Sequence, residues 1–352
     1  MKDIPRKFAA ATALLALALP AASAKGASNT LTLASAIATA ESQGTTVLNA
    51  QTSLTNAQTQ LAAYRADPST LILPLTQAEQ AVALAQVSLA SARLSVLQSV
   101  LNAYLGLYEE QQTVSLDQAQ VALAQRQLQV AQAQYKTGEA TQLSVAKART
   151  ALASAQQTLA SAQAQLPYLA DQLATQLGQT SLGTVQLAAP PAPPAVQPSF
   201  TKLKTGLFSR LAEVVSAQNA VALDQLEVKI DDNNYTPKLT LKTAQNALAS
   251  DSRTLALDQQ DVLTSLSNAV SAFSSAVKAV QVAAQSVTNA EQTLAQDQAA
   301  LKAGTVSSVQ VQSDRVSLQS ARLGLAQATD TVWKALATLS VAAGQNLTGL
   351  AE

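Results

Sequence analysis

The chain has 352 residues with 22 acidic and 22 basic side chains, so its formal charge is zero. Charged residues make up only 12% of the chain and aromatic residues 3%, which excludes a basic nucleic-acid-binding face and a core built on aromatic rings. The sequence contains no cysteine and no histidine, so thiol nucleophiles, disulfides, Cys/His metal sites and imidazole bases are excluded.

The N-terminus has the pattern of an export signal. Basic residues precede the apolar stretch Phe8–Leu19, and the small residues Ala22-Ser23-Ala24 follow it. This order predicts a signal peptide over residues 1–24 and an exported mature chain. The apolar stretch is too short to cross a bilayer, and since no later segment is uninterruptedly apolar for long enough, we expect no transmembrane helix.

The first unit of the mature chain reads as three helices. A helix is predicted over Leu31–Tyr64, and the segment Arg65–Pro74 breaks it with two prolines. A long helix follows over Leu75–Lys136, which at 1.5 Å per residue measures roughly 90 Å. After a tight turn at Thr137-Gly138, a third helix is predicted over Thr141–Leu177. We expect Gly138 to cap the long helix in the left-handed region and Thr141 to cap the third helix.

The sequence of this unit is repeated 166 positions later, and the two copies align without a gap. The stretch QYKTGEATQLSV around Lys136 and Gly138 matches AALKAGTVSSVQV around Lys302 and Gly304. The matching turns argue against chance similarity of two Ala/Gln-rich helices, and they predict a duplicated structural unit. Apolar residues at seven-residue spacing follow both turns: Val145, Leu152, Leu159, Leu166 and Leu173, and then Val311, Leu318, Leu325, Val332 and Leu339.

The duplication divides the chain into units. We predict a first helical repeat over residues 25–178, a Pro-rich linker over 179–197, a second helical repeat over 198–346 and a tail over 347–352. The linker contains LAAPPAPPAVQP, whose prolines favour an extended conformation.

The long helix carries apolar residues on two nearly opposite sides. Two heptad series are offset by two residues, which is about 200° around a helix. Such a helix needs a neighbour on each side, as in a sheet or closed tube of helices, whereas a two-stranded coiled coil needs only one apolar face. The alternative is a helix buried in a bundle. The two series are Leu116, Leu123 and Val130, and Val114, Val121, Leu128 and Tyr135.

These features resemble the TolC family of outer membrane efflux proteins over nearly the whole mature chain. The resemblance rests on LTLASAIATA, on QYKTGEATQLSVAKARTALASAQQTLASAQAQL, and on the closing LATQLG. It implies an all-α fold of long antiparallel coiled-coil helices in two tandem repeats. It also implies a homotrimer around a hollow periplasmic helical barrel, joined through a periplasmic adaptor protein to an inner-membrane transporter.

In the family, the helical turns contact the adaptor, and the resemblance carries this role onto six residues of this chain. The alternative for the two glycines is simple helix capping, and both roles are compatible. The turns differ from the family pattern, which has Asp where this chain has Ser144 and Gln310. The six residues are Lys136, Gly138 and Thr141 in the first repeat, and Lys302, Gly304 and Ser307 in the second.

The chain also departs from the family at the breaks before the long helices. The break at Arg65–Pro74 is too short for a pair of spanning strands, and in the break at Val228–Thr240 only LEVKI and KLTL could pair briefly. We therefore expect little or no β-barrel. The apolar tip Leu71–Leu73 either contacts the outer membrane or makes a local packing contact.

No catalytic constellation is present, so we expect neither an enzyme nor a cofactor. Single carboxylates are typical of a solvated surface, although Asp297 and Asp314 near the second turn are candidate lumen carboxylates. The segment Asp231–Asn234 lacks the glycine and the final glutamate of a calcium loop and is interpreted as a turn. Trp333 and Tyr104 are interpreted as packing residues.

Two functions share this architecture. The first is a TolC-like component of an efflux or export system, exported to the periplasm and associated with the outer membrane. The second is a structural spacer of the cell envelope that transports nothing. An adaptor-like protein is a third interpretation, which the lack of β sequence disfavours. The substrate and the partner proteins are not encoded in any recognisable motif.

Overall fold

A computed structural model describes residues 30–183 and 186–350 of the chain, so the predicted signal peptide over 1–24 lies outside the described residues. The described chain is almost entirely helical, which confirms the all-α tandem-repeat fold. Its elements are β1 Thr30–Leu31, α1 Leu33–Gln43, α2 Thr45–Ala66, α3 Ile72–Lys136, α4 Gln142–Gln176, β2 Gln186–Leu187, α5 Phe200–Lys204, a 3₁₀ turn Leu207–Ser209, α6 Ala212–Asp231, α7 Lys238–Lys302 and α8 Ser308–Ala343.

The helices of the second half repeat those of the first at a constant displacement. Helices α3 and α7 both have 65 residues, and α7 begins and ends 166 positions after α3. Helix α8 also begins 166 positions after the start of α4. Helix α6 corresponds to α2 at the same displacement, to within one residue at each end. The helices therefore repeat at the same 166-residue displacement as the sequence. The unit bounds predicted from the sequence are not tested by this correspondence.

Helix α3 has helical neighbours on both sides, as its two apolar faces predict. It packs against α1, α2 and α6 and against α4 and α8. Helix α7 packs against α6 and α8, so it lies at one edge of this layer of helices, and α2 and α4 lie at the other. The largest core lies where the two repeats meet, with Val100, Leu101 and Leu105 fully buried on α3.

The predicted helix Leu31–Tyr64 is wrong as a single element, because Gly44 divides it into α1 and α2. The Gly44 amide still donates to the Ala40 carbonyl at 2.8 Å, but its backbone turns to an extended conformation. A Cβ built at Gly44 would lie 2.3 Å from the Ala40 oxygen, so this bend requires glycine. The capping box of Thr32 and Ser35 fixes the start of α1.

The breaks before the long helices are short turns. Pro74, predicted as a breaker, lies in the first turn of α3, where an amide hydrogen would have no helical partner. The brief strand pairing that LEVKI and KLTL would have allowed does not form, because these segments end α6 and begin α7. In the intervening turn, the Asn233 side chain accepts from the Tyr235 and Thr236 amides at 2.7 and 2.9 Å. This confirms the interpretation of Asp231–Asn234 as a turn.

The strands β1 and β2 are each two residues long and pair in parallel, Thr30 with Gln186 and Leu31 with Leu187. The hydroxyl of the fully buried Tyr104 lies 2.8 Å from the Leu31 carbonyl and 2.7 Å from the Ala188 carbonyl. Burial raises the pKa of Tyr104 to about 12, so its proton stays available to these acceptors. Tyr104 therefore joins both β1 and the start of the linker to α3, and it is more than a packing residue.

A second aromatic side chain fixes the linker. Trp333 on α8 is 1% exposed, and its indole Nε1 donates to the Pro191 carbonyl at 2.9 Å. The linker runs without helix from Ala188 to Ser199, as its prolines predict. The indole therefore combines its predicted packing role with a hydrogen bond that orients the linker over α8.

By length and composition, α3 is long and apolar enough to cross a membrane, in contrast to the expectation from the sequence. Its apolar stretch contributes Leu94 and Leu97 to the core, and the helix packs against five other helices. The core helix of a helical bundle meets the same criterion, because burial between neighbours requires the same apolar composition.

Replacement of Tyr104 by Phe tests the role of the hydroxyl. We expect Tyr104→Phe to lower the free energy of unfolding by about 1–3 kcal/mol, because the part-buried Leu31 and Ala188 carbonyls lose the hydroxyl proton that they share. Urea unfolding followed by circular dichroism measures this loss. Tyr135→Phe is the matched control, since Tyr135 is 49% exposed. Equal stability of the two variants would contradict the proposed role of the Tyr104 hydroxyl.

Candidate functional site at the helical turns

The first turn reverses the chain between α3 and α4 as the sequence predicts. Lys136 is the last residue of α3, and Gly138 follows in the left-handed region with φ +81°. The amide of Glu139 donates to the Gln134 carbonyl at 2.8 Å, which satisfies one of the last carbonyls of α3. Thr141 then caps α4, its hydroxyl accepting from the Ser144 amide at 3.2 Å. Both predicted capping roles are confirmed.

The second turn, between α7 and α8, has the same construction. Lys302 ends α7, and Gly304 takes φ +76°. The amide of Thr305 donates to the Ala300 carbonyl at 3.0 Å. Ser307 caps α8, its hydroxyl accepting from the Gln310 amide at 3.1 Å. Both turns lie at the same end of the molecule, because α3 and α8 pack side by side.

The six residues predicted to contact an adaptor all lie on the surface of these turns. No atom lies within 4 Å of a Cβ built at Gly138 or Gly304, so both glycines face open space. Their left-handed backbone explains why each is glycine, and the open space leaves the turns free for a partner. Contact with an adaptor stays a prediction.

Asp297 and Asp314, the candidate lumen carboxylates, come together between α7 and α8. Asp314 is only 6% exposed, and its Oδ1 accepts from the Gln310 side chain at 3.0 Å. Burial raises the pKa of Asp314, and the neighbouring Asp297 carboxyl raises it further. The neutral form of Asp314 is therefore favoured relative to an exposed carboxyl. Asp314 lies buried between helices in the single chain, and a position in a lumen stays a prediction.

A second acidic cluster between α3 and α8 has no counterpart in the sequence predictions. Asp330 is 1% exposed, and its pKa is raised to about 7 by burial and by the neighbouring Glu109. Lys334 opposes this rise and donates to the Glu109 Oε1 at 2.7 Å. The cluster joins the two repeats at mid-height of the long helices.

Further carboxyl groups lie in the interfaces between helices. Burial raises the pKa of Asp224 on α6, and the nearby Asp251 on α7 raises it further. Burial also raises the pKa of Asp117, which is 5% exposed on α3. These groups are spread along the interfaces, and among the described residues no three carboxylates, cysteines or histidines form a group able to hold a metal ion. Because burial disfavours their charged form, these carboxyl groups lower the stability of the interfaces when they ionise.

Comparison with known proteins agrees with this geometry. Residues 74–179, which span α3, the first turn and α4, match the family model for outer membrane efflux proteins. No curated protein matches the chain by sequence.

Solved structures match the chain over most of its length. The outer membrane protein VceC of Vibrio cholerae is 15% identical, with a TM-score of 0.64, over 89% of this chain and 96% of VceC. The outer-membrane channel OprN is 14% identical, with a TM-score of 0.66, over 90% of each chain. The Campylobacter jejuni CmeC outer membrane channel is 11% identical, with a TM-score of 0.66, over 89% of this chain and 85% of CmeC.

The chain has the fold of the outer membrane efflux proteins. The family match and the structural matches confirm the resemblance to the TolC family. The matched structures are described as outer membrane channels, which agrees with the expected export to the cell envelope. The TolC-like fold places the two turns together at one end of the long helices and the two short breaks at the other.

Replacement of the turn glycines tests their conformation. We expect Gly138→Ala and Gly304→Ala each to lower the free energy of unfolding by about 1–2 kcal/mol, because an L-residue is strained in the left-handed region. Urea unfolding provides the measurement.

Gly106 and Gly324 are matched controls in the interiors of α3 and α8, where a Cβ also meets no atom within 4 Å. Alanine at these positions should raise stability by about 0.5–1 kcal/mol. If the control substitutions destabilise the chain as much as the turn substitutions do, the left-handed backbone is not the reason for glycine at the turns.

Replacement of Asp330 tests the buried acid. The folded chain holds this proton up to about pH 7, whereas the ordinary pKa is 3.8. Stability contributed by the site therefore falls as the pH rises through this interval. We expect Asp330→Asn to be more stable than the parent by roughly 1–3 kcal/mol at about pH 8, and to approach it at about pH 4. A stability difference that stays constant across these pH values would contradict the raised pKa.

Proposed function

We propose that this chain is a TolC-like component of an envelope-spanning efflux or export system. In this proposal it is exported to the periplasm, where three copies form a helical conduit associated with the outer membrane. The conduit docks a periplasmic adaptor through its helical turns and serves an inner-membrane transporter. Its repeats are the units 25–178 and 198–346, joined by the linker 179–197. No reaction is catalysed, and no cofactor takes part.

The observation that carries this proposal is the pair of open edges in the layer of helices. Large apolar side chains are exposed on α7 at one edge, with Leu257 61% and Val282 69% exposed. They are also exposed on α2 and α4 at the other edge, with Leu48 49% and Tyr168 64% exposed. Two different edges that each need a partner favour head-to-tail contacts between copies, and such contacts give a ring when the rotation from copy to copy closes.

The turns supply the docking end in this proposal. Lys136, Gly138, Thr141 and their counterparts Lys302, Gly304 and Ser307 are exposed at one end of the rod. Rigid capping holds both turns in one conformation, which lowers the entropy cost of binding. Each chain contributes two turns, so a trimer presents six turns. The same pair of turns is then repeated three times around the ring and is available to three adaptor hairpins.

The opposite end favours the alternative function of an envelope spacer. The turns at 67–71 and 232–237 connect helices directly, and they expose Leu71 by 72% and Tyr235 by 97%. Apolar side chains at such a tip can insert into a lipid surface or a protein partner. A rod held between two envelope layers through its tips needs no open passage.

The assembly is tested on the purified mature chain without detergent. We expect light scattering to give the mass of a trimer, and negative-stain images to show a tube roughly 100 Å long, set by the 65-residue helices. Val282→Asp should abolish the trimer while the chain stays helical, because Val282 lies at the α7 edge.

Tyr235→Asp is the matched control, since Tyr235 is exposed at a break and away from the edges. A monomeric solid rod in the parent protein would overturn the conduit and leave the spacer. In a deletion strain, loss of export supports the conduit, whereas envelope detachment with normal export supports the spacer.

A further inference from the structure

An open polar groove runs between α3 and α8 close to the two turns. It encloses about 410 Å³ and is lined by Gln125, Arg126 and Gln129 on α3 and by Ser308, Gln312 and Arg315 on α8. Both walls are helices, so the groove follows the helix axes. No carboxylate lines it, and two guanidinium groups face the same space.

Neither arginine of this groove forms an ion pair within the described residues. The salt bridges of the described chain join Arg65 with Glu79, Arg322 with Glu291 and Lys334 with Glu109. Arg126 donates one hydrogen bond to Gln129 at 3.3 Å, and Arg315 is exposed. Most guanidinium donors in the groove are therefore available to a ligand.

The turn end as a whole is positively charged, although the complete chain is neutral. The segments 126–149 and 297–315 contain six basic and three acidic residues. Two of the three acids, Asp297 and Asp314, face each other between α7 and α8 and not the groove. The basic residues are Arg126, Lys136, Lys147, Arg149, Lys302 and Arg315.

We propose that the groove between Arg126 and Arg315 binds aspartate or glutamate side chains on a helical hairpin of the partner that docks at the turns. This inference rests on the proposed docking function and names the chemistry of the partner. The planar guanidinium group binds carboxylate through two parallel hydrogen bonds, which gives geometric specificity as well as charge attraction. The glutamines add donors and acceptors along the same walls.

The shape of the groove favours a helix as the occupant. Two antiparallel helices form a channel along their axes, and a third helix fits such a channel with one face. Ala122 and Ser308 also line the groove, and because their side chains are small they leave room for side chains of a partner. An acidic helix also reaches Lys136 and Lys302 beyond the groove, at the ends of α3 and α7.

The test measures binding of synthetic helical hairpins to the purified full mature chain. One hairpin carries glutamates on its exposed face near the turn, and two others carry glutamines or lysines at the same positions. We expect the glutamate hairpin to bind at least about tenfold more tightly than the glutamine hairpin, and the lysine hairpin to bind most weakly. Raising the salt concentration should reduce the glutamate preference.

The double variant Arg126→Gln with Arg315→Gln should remove this preference. The matched control is Arg253→Gln, because Arg253 is exposed on α7 and lies roughly 70 Å along that helix from Lys302. The control should retain the preference. Equal binding or no binding of all three hairpins would overturn the inference, as would a double variant that still prefers glutamate.

Anionic vesicles of phosphatidylglycerol distinguish a lipid ligand from a protein ligand. Vesicle binding that depends on Arg126 and Arg315, without a preference among the hairpins, would overturn the inference in favour of a membrane surface. The trimer and tube measurements do not depend on these arginines. Failure of the hairpin test with an intact trimeric tube would therefore reject the acidic partner and leave the conduit.

Discussion

The long helix α3 must be covered on two opposite sides, and most of the architecture follows from that requirement. Leu116 and Val114 belong to apolar series that point in nearly opposite directions, so a single partner helix cannot cover both. The chain supplies α2 and α4 on one side and α6 and α8 on the other. Since α7 and the pair α2 and α4 then form the edges, one copy of the chain leaves the layer open. The apolar side chains of these edges, such as Leu257 and Val282 on α7, are therefore exposed in a single copy.

The repeat could be predicted in detail from the sequence because its signals are local. Glycines at Gly138 and Gly304, each followed by a hydroxyl cap three residues later, fix the turns, and the constant displacement fixes the lengths of α3 and α7. The division of the first helix at Gly44 was missed, because a glycine inside a periodic pattern also fits a continuous helix. Only the packed backbone reveals that a Cβ there would collide with the Ala40 carbonyl.

The polar interactions between helices could not be predicted in the same way. The sequence placed Asp297 and Asp314 near one turn, but their contact depends on the rotation of α7 against α8. The cluster of Asp330, Glu109 and Lys334 joins residues more than 200 positions apart, and nothing local marks it. Likewise, the groove between Arg126 and Arg315 exists only because the second half of α3 packs beside the start of α8. Long-range pairing of antiparallel helices decides which charges meet, whereas periodicity decides only which faces are apolar.

The pairing of β1 with β2 has a consequence for the order in which the chain folds. Thr30 and Gln186 are 156 positions apart, so β1 is synthesised long before its partner strand. The whole first hairpin, α3 with α4, can form from local contacts in that interval, whereas the strand pair must wait for the linker. Closing so large a loop costs entropy, and the hydroxyl of Tyr104, whose single proton is shared between the Leu31 and Ala188 carbonyls, helps to offset that cost. The strand pair therefore closes late, once the linker that carries β2 has been synthesised, and it does not need the second repeat.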